Sequence, residues 1–323
     1  MKRIIISHPT GNQNTKNTIY GLYKYNLLES FHTCIGCFKN NIYYYLSYIY
    51  PPIKRRSYNS IIKNRTFQYP LLELCRMFSS KFKFNYLTRH EKGLFCIDKI
   101  YQNLDSKVAQ YIQNINSCCG GVYAYEDGAL NSFINAKRKR LICFYDLPIG
   151  YWRAMRILLQ IEKEKNPDWA ITIETFNDSH NKLTRKDKEL ELADVIFVAS
   201  TFTKKTLEYY PKKKLNIHVI PYGFPPVNKN REYKSFKNRK IRILFVGGLS
   251  QRKGISYLFE SIKGLEDHIE LTIIGQGNLN ICPVLKNEIE KVNYIPSLPH
   301  QEILMAMANH DILIFPSLFE GFG

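Results

Sequence analysis

Two adjacent cations and a distant carboxylate are the residues best suited to chemistry. Arg252 and Lys253 follow Gly247 and Gly248 closely and precede Gly254. A glycine-bearing turn lets a backbone approach phosphate oxygens, and Arg and Lys neutralise their charge. Glu320 lies in the run Pro316-Ser317-Leu318-Phe319-Glu320-Gly321-Phe322-Gly323. Its carboxylate only accepts hydrogen bonds, which suits it to holding a ligand hydroxyl. Asp146 ends the apolar run 141–145, and Glu126 and Asp127 follow the run 121–125 in the same way. Carboxylates at the C-terminal ends of strands in an open α/β sheet point toward the ligand crevice. For each of these three acids a loop cap or turn residue is the competing reading.

The elements that must hold these residues are legible as patterns. Residues 241–246 are an apolar, β-branched run and predict a buried parallel strand. Beyond the glycine-rich turn, Ile255, Leu258, Phe259 and Ile262 recur at helical spacing on one face. Residues 312–315 predict another buried strand leading into the glycine loop, an arrangement that offers backbone N–H groups to phosphate. Strands are also expected at 271–274 and 293–295, with helices near 254–263 and 300–308. Earlier in the chain, strands are expected at 3–7, 121–125, 141–145, 169–173, 195–199 and 217–220. The loop 8–14, with Gly11, follows the first strand and leads to a helix from about Thr15. Ser200 or Thr201 caps a helix carrying Phe202, Leu207 and Tyr210. Residues 182–191 are heavily charged and read as a solvated helix face, with His180 just before them. Residues 34–110 are poorly patterned. The polar, basic stretch 227–240 reads as a linker, which divides the chain into domains 1–226 and 241–323.

The C-terminal motifs resemble the retaining, nucleotide-sugar-dependent glycosyltransferases of the large GT-B-fold family 4. The resemblance rests on residues 245–254, 271–277, 294–303 and 315–323, and less specifically on 7–14 and 219–224. It implies an α/β fold of GT-B type, with two Rossmann-like domains facing a cleft. It further implies that Arg252 and Lys253 hold the donor diphosphate, with Gly247 and Gly248 in the same turn. Gly275, Ser317, Gly321, Phe322 and Gly323 line the donor, Ile295 lies by the base, and Gly11 approaches donor or acceptor. Glu320 matches the first Glu of the family's Glu–seven residues–Glu motif. Asp146 stands where many members carry a His near the transferred sugar. The second Glu of the motif and the helix that normally follows the last strand are not in the sequence, so the second domain is expected to be incomplete and the chain truncated. The expected partners are therefore a nucleotide-sugar donor, which is a substrate rather than a cofactor, and a glycan or lipid-linked acceptor. No Asp-x-Asp motif is present, and no metal is expected. A catalytically inactive remnant is the rival reading.

Bulk properties fit this reading. The chain has 323 residues, 45% of them hydrophobic, which is enough for two cores. Its formal net charge of +18 calls for an anionic partner. A nucleic-acid binder would share that charge, but no nucleic-acid motif accompanies it, and no nucleic-acid partner is expected. Met1-Lys2-Arg3 leads into an apolar run too short for a signal peptide. The apolar tract 42–53 is too short to span a bilayer, although its tyrosines suit a lipid interface. A cytoplasmic protein, peripheral on an anionic membrane, is the expectation. Cys34 and Cys37 have redox or metal spacing without a second pair, and all eight cysteines read as reduced thiols.

Overall fold

Short runs of Ile, Val and Phe, broken by Gly, Pro and Asn, build eleven strands in the computed structural model of the chain, which describes residues 2–115, 119–212, 215–224, 227 and 235–322. The strands are β1 (Arg3–Ser7), β2 (Leu28–Thr33), β3 (Thr66–Gln68), β4 (Cys119–Tyr125), β5 (Ile142–Leu147), β6 (Val195–Val198), β7 (Ile217–Val219), β8 (Ile241–Val246), β9 (Ile269–Ile274), β10 (Asn293–Ile295) and β11 (Ile312–Leu313). All their pairings are parallel, with helices between the strands. Two sheets result, one ordered β3-β2-β1-β4-β5-β6-β7 and the other β10-β9-β8-β11. In each, the strand order reverses beside the first strand of the unit, as in doubly wound folds.

The sheets belong to two compact units. One comprises Met1–Pro148, Asp178–Lys204 and Pro211–Gly223, the other Ile149–Asn177, Lys205–Tyr210 and Phe224–Gly323. The single boundary expected at 227–240 therefore misses two segments that belong to the second unit. The reason is visible in its core, where Trp169 packs with Ile243, Phe245, Leu258, Phe259, Leu271 and Ile273. Residues 228–234 of the expected linker, like Met1, Cys118 and Gly323, lie outside the described residues.

The expected strand at 169–173 is instead a 3-10 helix, Pro167–Thr172. Pro167 opens it, and the Thr172 hydroxyl donates to the Trp169 carbonyl at 2.6 Å, closing the turn locally. The expected buried strand 312–315 is only two residues long. It lies at the sheet edge, paired with β8, and Ile312 and Leu313 are 44% and 49% exposed.

In the first unit, Asn12 caps the helix Gln13–Lys24 by accepting from the Thr15 N–H at 2.8 Å. The charged helix His180–Leu192 is not a solvated face. Lys186 and Glu189 are buried, Lys186 pairs with Glu126 at 3.3 Å, and Arg185 pairs with Asp105 at 3.3 Å. Glu189 accepts from the N–H groups of Asp127, Ala129 and Leu130, which fixes the turn after β4. The poorly patterned stretch contains the helices Ile42–Ile49, Leu71–Lys81 and Ile97–Asn114. Cys34 and Cys37 are buried beside Ile35, Ile53 and Met77, and the described cysteines are free thiols. Among the described residues, no helix is long and apolar enough to cross a membrane.

Candidate functional site

The second unit builds its site at the point where its strand order reverses. β8 and β11 are neighbours, and both send loops off their C-terminal ends on the same side. Open parallel sheets bind ligands at such a point. The loop after β8 ends in the short 3-10 turn Gln251–Lys253, and the loop after β11 carries Glu320. They are tied together by the Leu318 N–H, which donates to the Arg252 carbonyl at 3.0 Å, and by Arg252 Nη1, which donates to the Phe319 carbonyl at 2.8 Å. The Glu320 carboxylate meets Arg252 Nη1 at 3.2 Å and makes a close ion pair with Lys253 Nζ. Lys253 also lies 5.0 Å from the centre of the Phe315 ring. Two cations thus face one carboxylate, which leaves a net positive charge at the mouth of the loops. The arrangement can hold an anion, and the acid is placed to accept from a hydroxyl.

The backbone makes this approach possible. Gly254 has φ +70°, and a Cβ there would lie 2.1 Å from the Pro316 carbonyl oxygen. Only glycine fits both the left-handed conformation and the space. Gly275 passes so close that a Cβ would lie 1.7 Å from the Gly247 carbonyl oxygen, and its N–H donates to the Ile295 carbonyl at 3.0 Å. Gly248 is open, with the nearest atom to a Cβ, the Gln276 carbonyl oxygen, at 3.8 Å. The Ser317 hydroxyl is buried and has no hydrogen-bond partner among the described residues. Phe322 is 42% exposed beside Gly321, and the expected donor contact Gly323 lies outside the described residues.

A brace behind the cations was not read from the sequence. Gln251 is fully buried, and its N–H donates to the Thr172 hydroxyl at 2.8 Å. Its side-chain amide donates to Glu162 Oε1 at 2.6 Å and to the Ser256 hydroxyl at 2.6 Å, while its carbonyl oxygen accepts from the Ser256 N–H. Tyr257 donates to the same Glu162 at 2.9 Å. Phe319, next to Glu320, is buried against Ala154, Leu159 and Ile173. Glu162 and Thr172 lie far from Gln251 in sequence, so only the polar Gln251 inside an otherwise loop-like motif could have hinted at the brace.

In the first unit, Asp146 is buried at the end of β5 and accepts from the Tyr123 hydroxyl at 2.6 Å. It lines a 320 Å³ cavity with Asn14, Tyr123, Phe197 and Tyr222. Burial raises its carboxyl to about 6, against the lowering effect of the Tyr123 hydrogen bond. Of the two alternatives, Glu126 faces Lys186, and Asp127 lies within 4 Å of Lys182 and Lys186. Asp146 is thus the one of the three acids that lines this cavity. His180 is exposed, its ring 3.3 Å from the Thr184 hydroxyl. Gly11 has φ +61°, and its N–H donates to His8 Nδ1 at 2.7 Å. His8 is buried, which lowers its pKa to about 4, so the ring is neutral and accepts from the loop.

Residues 227–323 match the family described as Glycosyl transferases group 1. The chain is 29% identical over 142 residues to the uncharacterized glycosyltransferase YqgM of Bacillus subtilis, covering 42% of this chain and 38% of that protein. It is 29% identical over 115 residues to the amylovoran biosynthesis glycosyltransferase AmsK of Erwinia amylovora, covering 33% and 28%. The alignments thus span well under half the length of these curated relatives. Among solved structures, an α,α-trehalose-phosphate synthase (UDP-forming) from Burkholderia vietnamiensis superposes with a TM-score of 0.55 at 10% identity, covering 100% of this chain and 78% of that one. Anabaena Alr3699/HepE, solved in complex with UDP and glucose, gives 0.53 at 13% identity over 98% and 74%. The fold is that of the GT-B glycosyltransferases. Residues 227–323 carry the group 1 signature, on a chain whose fold is of GT-B type.

Proposed function

We propose that the protein transfers a sugar from a nucleoside-diphosphate sugar to a hydroxyl acceptor, with retention at the anomeric carbon. The observation that carries this reading is the convergence of Arg252, Lys253 and Glu320 on loops from two adjacent strands. In this reading the leaving nucleoside diphosphate displaces Glu320 from the two cations. Their charge, with the N–H groups around Gly321, stabilises the negative charge that develops on the phosphate as the glycosidic bond breaks. The freed carboxylate then accepts from a hydroxyl of the donor sugar. Gly247, Gly248, Gly275, Ile295, Ser317 and Phe322 line the donor. Cations of the chain take the place of a divalent ion, consistent with the lack of an Asp-x-Asp motif. In the first unit, Asp146 and Tyr123 act on hydroxyls in their cavity, and a carboxyl that titrates near 6 is suited to proton transfer near neutral pH. The acceptor is a glycan or lipid-linked intermediate of surface polysaccharide synthesis, a proposal supported by the likeness to AmsK.

The test is a screen of UDP-, GDP- and ADP-sugars for binding by calorimetry and for turnover by mass spectrometry, on the parent and Lys253→Ala. One nucleotide sugar should bind, and Lys253→Ala should weaken it about tenfold or more, as expected for loss of a charge-assisted contact. Equal affinity and equal turnover in the two proteins would remove the diphosphate site from this turn.

A further inference from the structure

The first unit contains a second pair of cavities that the donor site does not use. One, of 420 Å³, is lined by the loop Thr10–Gly11–Asn12, by the first turn of the helix Gln13–Lys24, and by Lys16, Arg55, Arg56 and Arg76. No acid is among its lining residues; Glu73 pairs with both Arg56 and Arg76. Four cations against one carboxylate, at the N-terminus of a helix, form a site for a compact anion. Arg56 is only 7% exposed, and its Nε has no hydrogen-bond partner among the described residues.

Tyr50 and Met77 line this cavity and also its neighbour, so the two adjoin. The neighbour, of 700 Å³, is walled by Leu46, Leu74, Phe78, Phe82 and Phe84, with Lys81 as its one charged side chain. Phe78, Phe82 and Phe84 are 58%, 50% and 43% exposed, and Ile49, Tyr48 and Ile42 of the adjacent tract are exposed further still. So much exposed apolar surface in one patch marks a binding surface. Aliphatic and aromatic side chains make up most of the groove's lining, with Tyr50, Ser79, Lys81 and Tyr86 as its hydrogen-bonding groups, which suits a hydrocarbon chain. Residues 39–95 carry eleven Lys or Arg against two Glu, so the apolar patch lies in a basic part of the chain.

We propose that the first unit binds a phosphate-headed lipid, with the phosphate among Lys16, Arg55, Arg56 and Arg76 and the hydrocarbon chain in the groove between Leu46 and Phe84. That this lipid is the acceptor rests on the glycosyl-transfer reading above; that it binds does not.

The experiment titrates the full chain with farnesyl phosphate, farnesol and inorganic phosphate by calorimetry, without detergent. Farnesyl phosphate should bind at least about tenfold more tightly than either of its parts. Arg55→Glu should remove the gain due to the phosphate and Phe82→Ser the gain due to the chain, each weakening binding about fivefold or more. Both positions are exposed enough for the fold to survive, which circular dichroism checks, and Lys263→Glu on the second unit should change nothing. The proposal is overturned if farnesyl phosphate binds no more tightly than inorganic phosphate or than farnesol, or if both variants bind like the parent. Because no nucleotide is present, failure here leaves the Lys253 test untouched, and failure there leaves this one untouched.

Discussion

Glu320 holds the two cations that the proposed donor needs, so its charge and its hydrogen-bonding capacity can be separated by mutation. Glu320→Gln removes a carboxylate from Lys253 and Arg252. Inorganic pyrophosphate should then bind a few-fold more tightly, whereas the intact nucleotide sugar should bind more weakly because its hydroxyl loses a charged acceptor. Competition calorimetry with the two ligands checks the opposite signs; equal shifts would place Glu320 outside the donor contact. Asp146 makes a prediction in pH. Burial raises its carboxyl in the folded state to about 6 from the ordinary 3.8. The folded protein therefore binds this proton more tightly than the unfolded chain, and the stability it contributes is full below pH 3.8 and is lost as pH rises through 6. Asp146→Asn should be more stable than the parent above pH 6, by about 3 kcal/mol at most, with the difference vanishing below about pH 4. Urea titrations at several pH values read this directly. His8 acts with the opposite sign: its lowered value means stability is lost as pH falls from 6.5 through about 4.

The Gln251 turn shows what an element needs in order to present side chains. Gly254→Ala would force a Cβ into the Pro316 carbonyl and strain a left-handed backbone, so it should cost about 2 kcal/mol or more in urea unfolding. Glu162→Ala leaves Gln251, Tyr257 and Asn166 without their shared acceptor, at an expected cost of about 1–3 kcal/mol. If it also weakens nucleotide binding while Tyr257→Phe does not, the loss runs through Gln251 and the turn. Much of this architecture was legible in sequence. The apolar runs at 241–246 and 271–274 and the face of Ile255, Leu258 and Phe259 had periods that matched their elements, because a strand buried on both faces and a helix packed on one leave plain patterns. What failed was set by tertiary partners. The run 169–173 is as apolar as a strand, but Pro167 and the Thr172 hydroxyl coil it, and Trp169 finds its partners in strands and helices more than seventy residues further along the chain. The charged run 182–191 looked solvated because charge alone does not reveal whether its partners are buried; Asp105, Glu126 and Glu189 show that they are. The site itself was half legible. Glycine and cation spacing pointed to Arg252, Lys253 and Glu320, whereas the Gln251–Glu162 brace joins residues too far apart to pair by inspection.

Across the whole molecule, the chain passes between the units five times, because residues 149–177 and 205–210 are borrowed by the second from within the sequence of the first. Trp169 is the anchor of that loan. Trp169→Ala should destabilise the second unit by about 3 kcal/mol or more, a loss of packing rather than of chemistry. Selective loss of near-ultraviolet signal and of nucleotide binding, with the first unit still folded, would be the expected pattern. The borrowed segment also sets an order of events during synthesis. Residues 149–177 leave the ribosome long before the strands that will cover Trp169 exist, so an apolar face waits uncovered until β8 and β9 are made. During that interval the nascent chain is at its most vulnerable to chaperones, proteases and its own neighbours, and slowing translation after residue 177 should lengthen the exposure.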